Sequence, residues 1–164
     1  MAWWKKKKLT PNDVVLRFLK FSGDFATDAM KDIEAHRGVQ QQSESDRMTN
    51  ELMYFCLFAL DYSISNNVTA QQDEIRESLY YHWRQMLGDS DDSQAMWETS
   101  QQRLHEYAKI INEAQNDEAH KLVGLGKKLS ECSGCPGYSG LVVLAPYLLK
   151  ATMDAVVSVL REAK

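Results

Sequence analysis

The chain has 164 residues, 44% of them apolar and 26% charged, enough for one ordinary domain with a hydrophobic core and a balance that excludes wholesale disorder. With 8 Gly and 3 Pro it lacks the punctuation of an all-β fold. The net charge of −4 divides into +5 over residues 1–20 and −9 over the rest, which argues against duplex nucleic acid as a partner of the body.

Residues 1–9, MAWWKKKKL, join two indoles, Trp3 and Trp4, to four ammonium groups, Lys5, Lys6, Lys7 and Lys8. Near an anionic leaflet each such charge is worth about 1 kcal/mol, so this leader is a candidate for transient membrane-surface or partner contact. The alternative is a soluble start whose indoles pack on the bundle or on a partner, because Pro11 and Asn12 interrupt any continuous basic amphipathic helix. No apolar h-region follows the lysines, so no secretory signal is expected.

Residues 10–164 read as a single all-α domain, a bundle of about five or six helices. Its core is expected over about 46–162, with the first 40 residues as an added arm or an extra pair of helices. Thr10, Pro11 and Asp13 supply an N-cap, a first-turn proline and a first-turn acid ahead of VVLRFLKF. A separate helix is expected over 24–37, with Phe25, Ala29, Ile33 and His36 on one side and Gly38 ending it.

Over 46–66 two apolar stripes run side by side. Met48, Leu52, Phe55, Ala59 and Tyr62 form one; Met53, Leu57, Leu60 and Ile64 form the other. A helix apolar around most of its circumference belongs in the middle of a bundle. Thr69 and Gln72 suggest a capping box for the next helix, whose stripe is Ile75, Leu79, Trp83, Met86 and Leu87 up to the C-cap Gly88.

Beyond GDSDDS, Trp97, Leu104, Tyr107, Ala108 and Ile111 share a face, and the stripe resumes at Leu122, Leu125 and Leu129 after a weak stretch. This predicts one long bent helix or two helices broken near Asn116. The last helix, about 141–162, carries Leu141, Leu144, Leu148, Thr152, Ala155 and Val159 on one side, with Pro146 as a kink or effective start. Its run from Leu141 to Leu160 contains Pro146, Lys150 and Asp154, so it is not expected to span a membrane.

Several strings imitate catalytic motifs. DEAH at 117–120 has no phosphate-binding loop before it and reads as a polar helix start. DSDDSQ from Asp89 has Gln94 and Ser100 where a calcium loop needs its Gly and closing Glu, so it reads as an acidic helix N-terminus. None of His36, His82, His105 and His120 follows a Glu by three residues, which removes the di-metal bundle motif. His82 is expected to be a packed, hydrogen-bonded histidine, and Cys56, inside LMYFCLFAL, a buried inert thiol.

Cys132 and Cys135, in ECSGCPGYSG, stand at Cys-x-x-Cys spacing. Redox chemistry would want the first thiol at a helix N-terminus, whereas here the pair follows a helix. Zinc wants four ligands, which two copies of the pair could supply across a dimer. The third reading is a turn between antiparallel helices built on Gly134, Pro136, Gly137 and Gly140. Three cysteines in all make no disulfide framework and point to a reducing, cytoplasmic location.

The sequence therefore leads to a non-enzymatic cytoplasmic bundle acting through another protein or itself, as adaptor, regulator or chaperone-like factor, with a homodimer among the options. No cofactor is expected. The alternatives are a metal or thiol-redox sensor holding zinc or cycling on Cys132 and Cys135, and a peripheral factor anchored at the inner membrane surface by residues 1–9.

Overall fold

The helix with two apolar stripes sits at the axis. In the computed structural model, which describes residues 9–37, 42–67, 71–115 and 117–163, the chain is an all-α bundle of α1 (Pro11–Arg37), α2 (Gln42–Asn67), α3 (Gln72–Leu87), α4 (Asp91–Glu113), α5 (Glu118–Cys132) and α6 (Ser139–Ala163). Among the described residues there is no strand. Helix α2 touches all five others, which close a ring around it in the order α1, α3, α4, α5, α6.

The two stripes of α2 face two different cores. Met48, Leu52, Phe55 and Ala59 join Tyr107, Leu125, Leu129, Leu141 and Leu148 in one, with Tyr62 packed at its edge. Leu57, Leu60 and Ile64 join Val14, Val15, Phe18, Ile75, Leu79 and Trp83 in the other, with Met53 alongside. Amphipathicity on both sides of one helix thus becomes a bundle with a central member.

The N-terminal region departs from expectation. Residues 11–37 form one unbroken helix, not a short helix plus a second starting near 24. Gly23 costs a helix only about 1 kcal/mol relative to alanine, and burial of Phe18 before it and Ala26, Met30 and Ile33 after it holds the helix together. Its side chains enter both cores, so α1 is an integral wall and not an arm. The side chain of His36, and Gly38, lie outside the described residues.

Local signals account for most ends. Thr10 Oγ1 accepts from the Asp13 amide at 3.2 Å while Asp13 Oδ2 accepts from the Thr10 amide at 2.9 Å, a reciprocal cap. Ser90 caps α4 through the Ser93 amide at 3.1 Å, and Asp117 caps α5 through the His120 amide at 2.9 Å. The DSDDS and DEAH strings are therefore helix starts, and the stripe interruption near Asn116 is a true break between α4 and α5.

The capping box at α3 is different. Thr69 lies outside the described residues, the N-cap is Gln71 at φ 58°, and the Gln72 side chain donates to the Ser65 carbonyl at 3.3 Å. Two expected stripe members also face outward: Met86 and Ala108 are exposed.

Helices α5 and α6 meet backbone to backbone. A Cβ on Gly126 would overlap the Val142 carbonyl oxygen and lie 2.7 Å from Val142 Cα. Pro146, inside α6, has no N–H to give the carbonyl four residues earlier, which is that of Val142. The carbonyl freed by Pro146 is the one a Cβ on Gly126 would strike, so the missing side chain at Gly126 leaves room for it.

Candidate functional site

Cys132 and Cys135 lie at the end of α5. The Cys135 amide donates to the Ser130 carbonyl at 2.9 Å and the Gly134 amide to the Glu131 carbonyl at 3.0 Å, with Gly134 at φ 77°. That is a Schellman motif, whose residue after the glycine makes an apolar contact back to the helix. Cys135 occupies that place and is buried in the first core. Arg47 of α2 stacks against Gly134 and its Nε donates to the Cys132 carbonyl at 2.8 Å, placing a cation at the negative end of α5.

Both thiols are free and buried. Burial pushes the Cys132 thiol above its usual value, against the opposing pull of Arg103, and burial alone pushes Cys56 up to about 12. Thiolate chemistry is disfavoured at Cys132 and Cys56. Among the described residues no group of three His, Cys, Asp or Glu side chains converges as a metal site.

Beside Cys132 lies a charge network that no local motif announced. Arg103 of α4 donates through Nε and Nη2 to the two oxygens of Glu51 at 2.8 and 2.9 Å, and through Nη1 to Glu106 at 3.0 Å. Lys128 of α5 reaches the same Glu106 oxygen at 3.0 Å. With both Glu51 oxygens occupied by a guanidinium, the group ties α2 to α4 instead of serving as a base. His82 on α3 is hydrogen-bonded as expected, its Nε2 2.5 Å from Asn12 Oδ1, but it is half-buried rather than packed in the core.

A groove of ≈ 440 Å³ lies between α5 and α6. Its floor is Leu122, Pro146, Leu149 and Met153, and Glu118, Lys150 and Asp154 stand on its rim. Val143 and Tyr147, 69% and 63% exposed, form its lip. The Tyr147 ring also meets Phe25 of α1 at 5.6 Å, and Phe25 meets Phe21 at 6.0 Å, extending the apolar surface across α1.

Helix α6 passes one test that its proline and charges argued against. Over Ser139–Arg161 it is long and apolar enough to cross a membrane by length and composition, with a mean hydropathy of 1.5 and only 33% of the window buried. Its two large exposed apolar side chains, Val143 and Tyr147, lie on the groove side. Sequence reasoning fixed on the stripe through Leu141 and Leu148 and passed over Val143 and Tyr147, four residues apart on another face; that spacing was the available signal.

Trp3, Trp4, Lys5, Lys6, Lys7 and Lys8 lie outside the described residues.

No protein-family model, curated protein or solved structure matches this chain.

Proposed function

We propose that this chain is a non-enzymatic helical interaction module, an adaptor or regulator, that docks an amphipathic helix of a partner protein in the α5–α6 groove. The observation carrying the reading is an apolar groove with aromatic and aliphatic lips on a helix that is only one-third buried. Aromatic and methionine side chains are the residues favoured at interface centres, and a row of apolar side chains on a partner helix fits such a groove. The rim sets Glu118 and Asp154 against Lys150, within a body carrying −9, a balance that favours a protein over an anionic leaflet at this face.

A photo-crosslinking phenylalanine analogue at position 147 is expected to capture one defined protein that the same probe at exposed Tyr81 does not. Binding of that protein, once purified, should weaken at least about tenfold in Val143→Asp, which sets a carboxylate on the apolar lip. Equal capture at both positions, or lipid capture at 147, would sink the proposal; capture of a second copy would reassign the groove to a homodimer.

The apolarity of α6 favours a second reading, contact with the inner membrane surface aided by Trp3, Trp4 and Lys5 to Lys8. It predicts sedimentation with phosphatidylserine vesicles that weakens in salt and is lost on deletion of residues 1–9. Identical sedimentation with and without those residues would remove it.

A further inference from the structure

Helix α6 turns one row of side chains away from both cores. Val143, Tyr147, Lys150, Asp154, Val157 and Arg161 follow one another in alternate steps of four and three residues. That spacing holds them on a single stripe, the seam of a two-helix coiled coil. Val157 is half-buried and the other five are exposed. The first four also line the α5–α6 groove.

The two central charges are unused within the chain. On α1, Lys20 and Asp24, in the same order and at the same spacing, close to 2.6 Å. Among the described residues Lys150 and Asp154 pair with no opposite charge. Charged residues on such a seam cost stability and specify register and partner.

Read in reverse, the seam is complementary to itself. In an antiparallel pair of α6 helices centred at the level of Thr152, Lys150 meets the second copy's Asp154, and symmetry makes that contact twice. The same register sets Tyr147 on Val157 and lays the alkyl stem of Arg161 along Val143. A parallel pair in register would instead set Lys150 on Lys150 and Asp154 on Asp154, which repel. Over Ser139–Ala163 two basic residues balance two acidic ones, so the helices themselves bring no net repulsion.

We infer that α6 pairs with α6 of a second copy in this antiparallel register, and that the pair regulates the groove by covering its lips, Val143 and Tyr147. Self-association and docking of a partner helix then exclude one another. This regulatory role rests on the docking reading above; the pair itself rests on the seam. From Val143 to Arg161 the seam is about 27 Å long, an interface at the small, transient end of the range. The groove is therefore open at low concentration and covered at high concentration.

The test is sedimentation velocity of the full chain from about 5 to 500 μM, a span suited to a transient pair, with Lys150→Glu and Asp154→Lys alone and mixed. The parent should pass from monomer to dimer. Each variant alone should dimerise at least about tenfold more weakly, because like charges then face each other twice across the two-fold. An equimolar mixture should recover dimers to within about threefold of the parent, since position 150 of one chain again opposes position 154 of the other in charge. Both substituted side chains are exposed, and circular dichroism checks that the variants fold. A parent that stays monomeric, variants that dimerise as the parent does, or a mixture no better than its components would each overturn the inference. The titration contains no partner protein. A monomeric parent would thus leave the docking reading standing, whereas a dimer whose position 147 captures no other protein would sink docking and leave the pair.

Discussion

Gly126→Ala is expected to destabilise the bundle by about 3 kcal/mol, although the same change within a helix ordinarily gains roughly 0.5–1 kcal/mol. The sign reverses because the new Cβ meets backbone. It would overlap the Val142 carbonyl and sit 2.7 and 2.8 Å from Val142 Cα and C, atoms that cannot swing aside as a side-chain end can. Relief requires α5 and α6 to move apart, and that separation reshapes the groove whose floor spans both helices. Gly23→Ala is the control: with nothing within 4 Å of its Cβ, it should gain about 0.5–1 kcal/mol. Urea unfolding of the two variants beside the parent decides the matter. Equal and same-signed shifts would mean that the α5–α6 approach at Gly126 is not close.

Arg103→Ala is expected to cost about 3–5 kcal/mol, because it strands the Glu51 carboxylate, whose side chain is 6% exposed, without its counter-ion. The companion Glu51→Leu/Arg103→Met should recover most of that loss, since two apolar groups of similar volume avoid the desolvation that the pair carries. A double variant no more stable than Arg103→Ala would show that the network does more than neutralise a buried charge.

The same network gives an acid limb. Burial tends to raise the Glu106 carboxyl, but Gln102, Lys128 and Arg103 together hold it below the usual range. A depressed folded value contributes stability that is complete above the ordinary glutamate value of about 4.3 and is lost as pH falls through the folded one. Stability of the parent should therefore drop below about pH 4 more steeply than that of Glu106→Gln. Parallel profiles would remove Glu106 as a cause.

Much of the fold was legible because helices are written in near-neighbour spacing. The paired stripes of α2 anticipated that it faces two cores, although Tyr54, Cys56 and Phe58, buried beside them, belonged to neither stripe. Short polar strings that resembled catalytic motifs resolved as caps, since an N-cap bond spans only three residues. Even the burial of Cys135 follows a local rule, the apolar position after a C-terminal glycine.

The site was less legible for a physical reason. Glu51 and Arg103 are 52 residues apart, and Gly126 matters only through Val142. A separate helix was expected from 24, and only the burial of residues on both sides of Gly23 decided that α1 runs on unbroken. Likewise the charges and proline of α6 fixed its polarity along the chain but not which face would be left uncovered. The sequence alone determined where helices form and which stripes seek burial, because those depend on residues within two turns. Which stripes met, which backbones touched and which apolar face remained open were set by tertiary packing, where partners distant in the chain compete for the same surfaces.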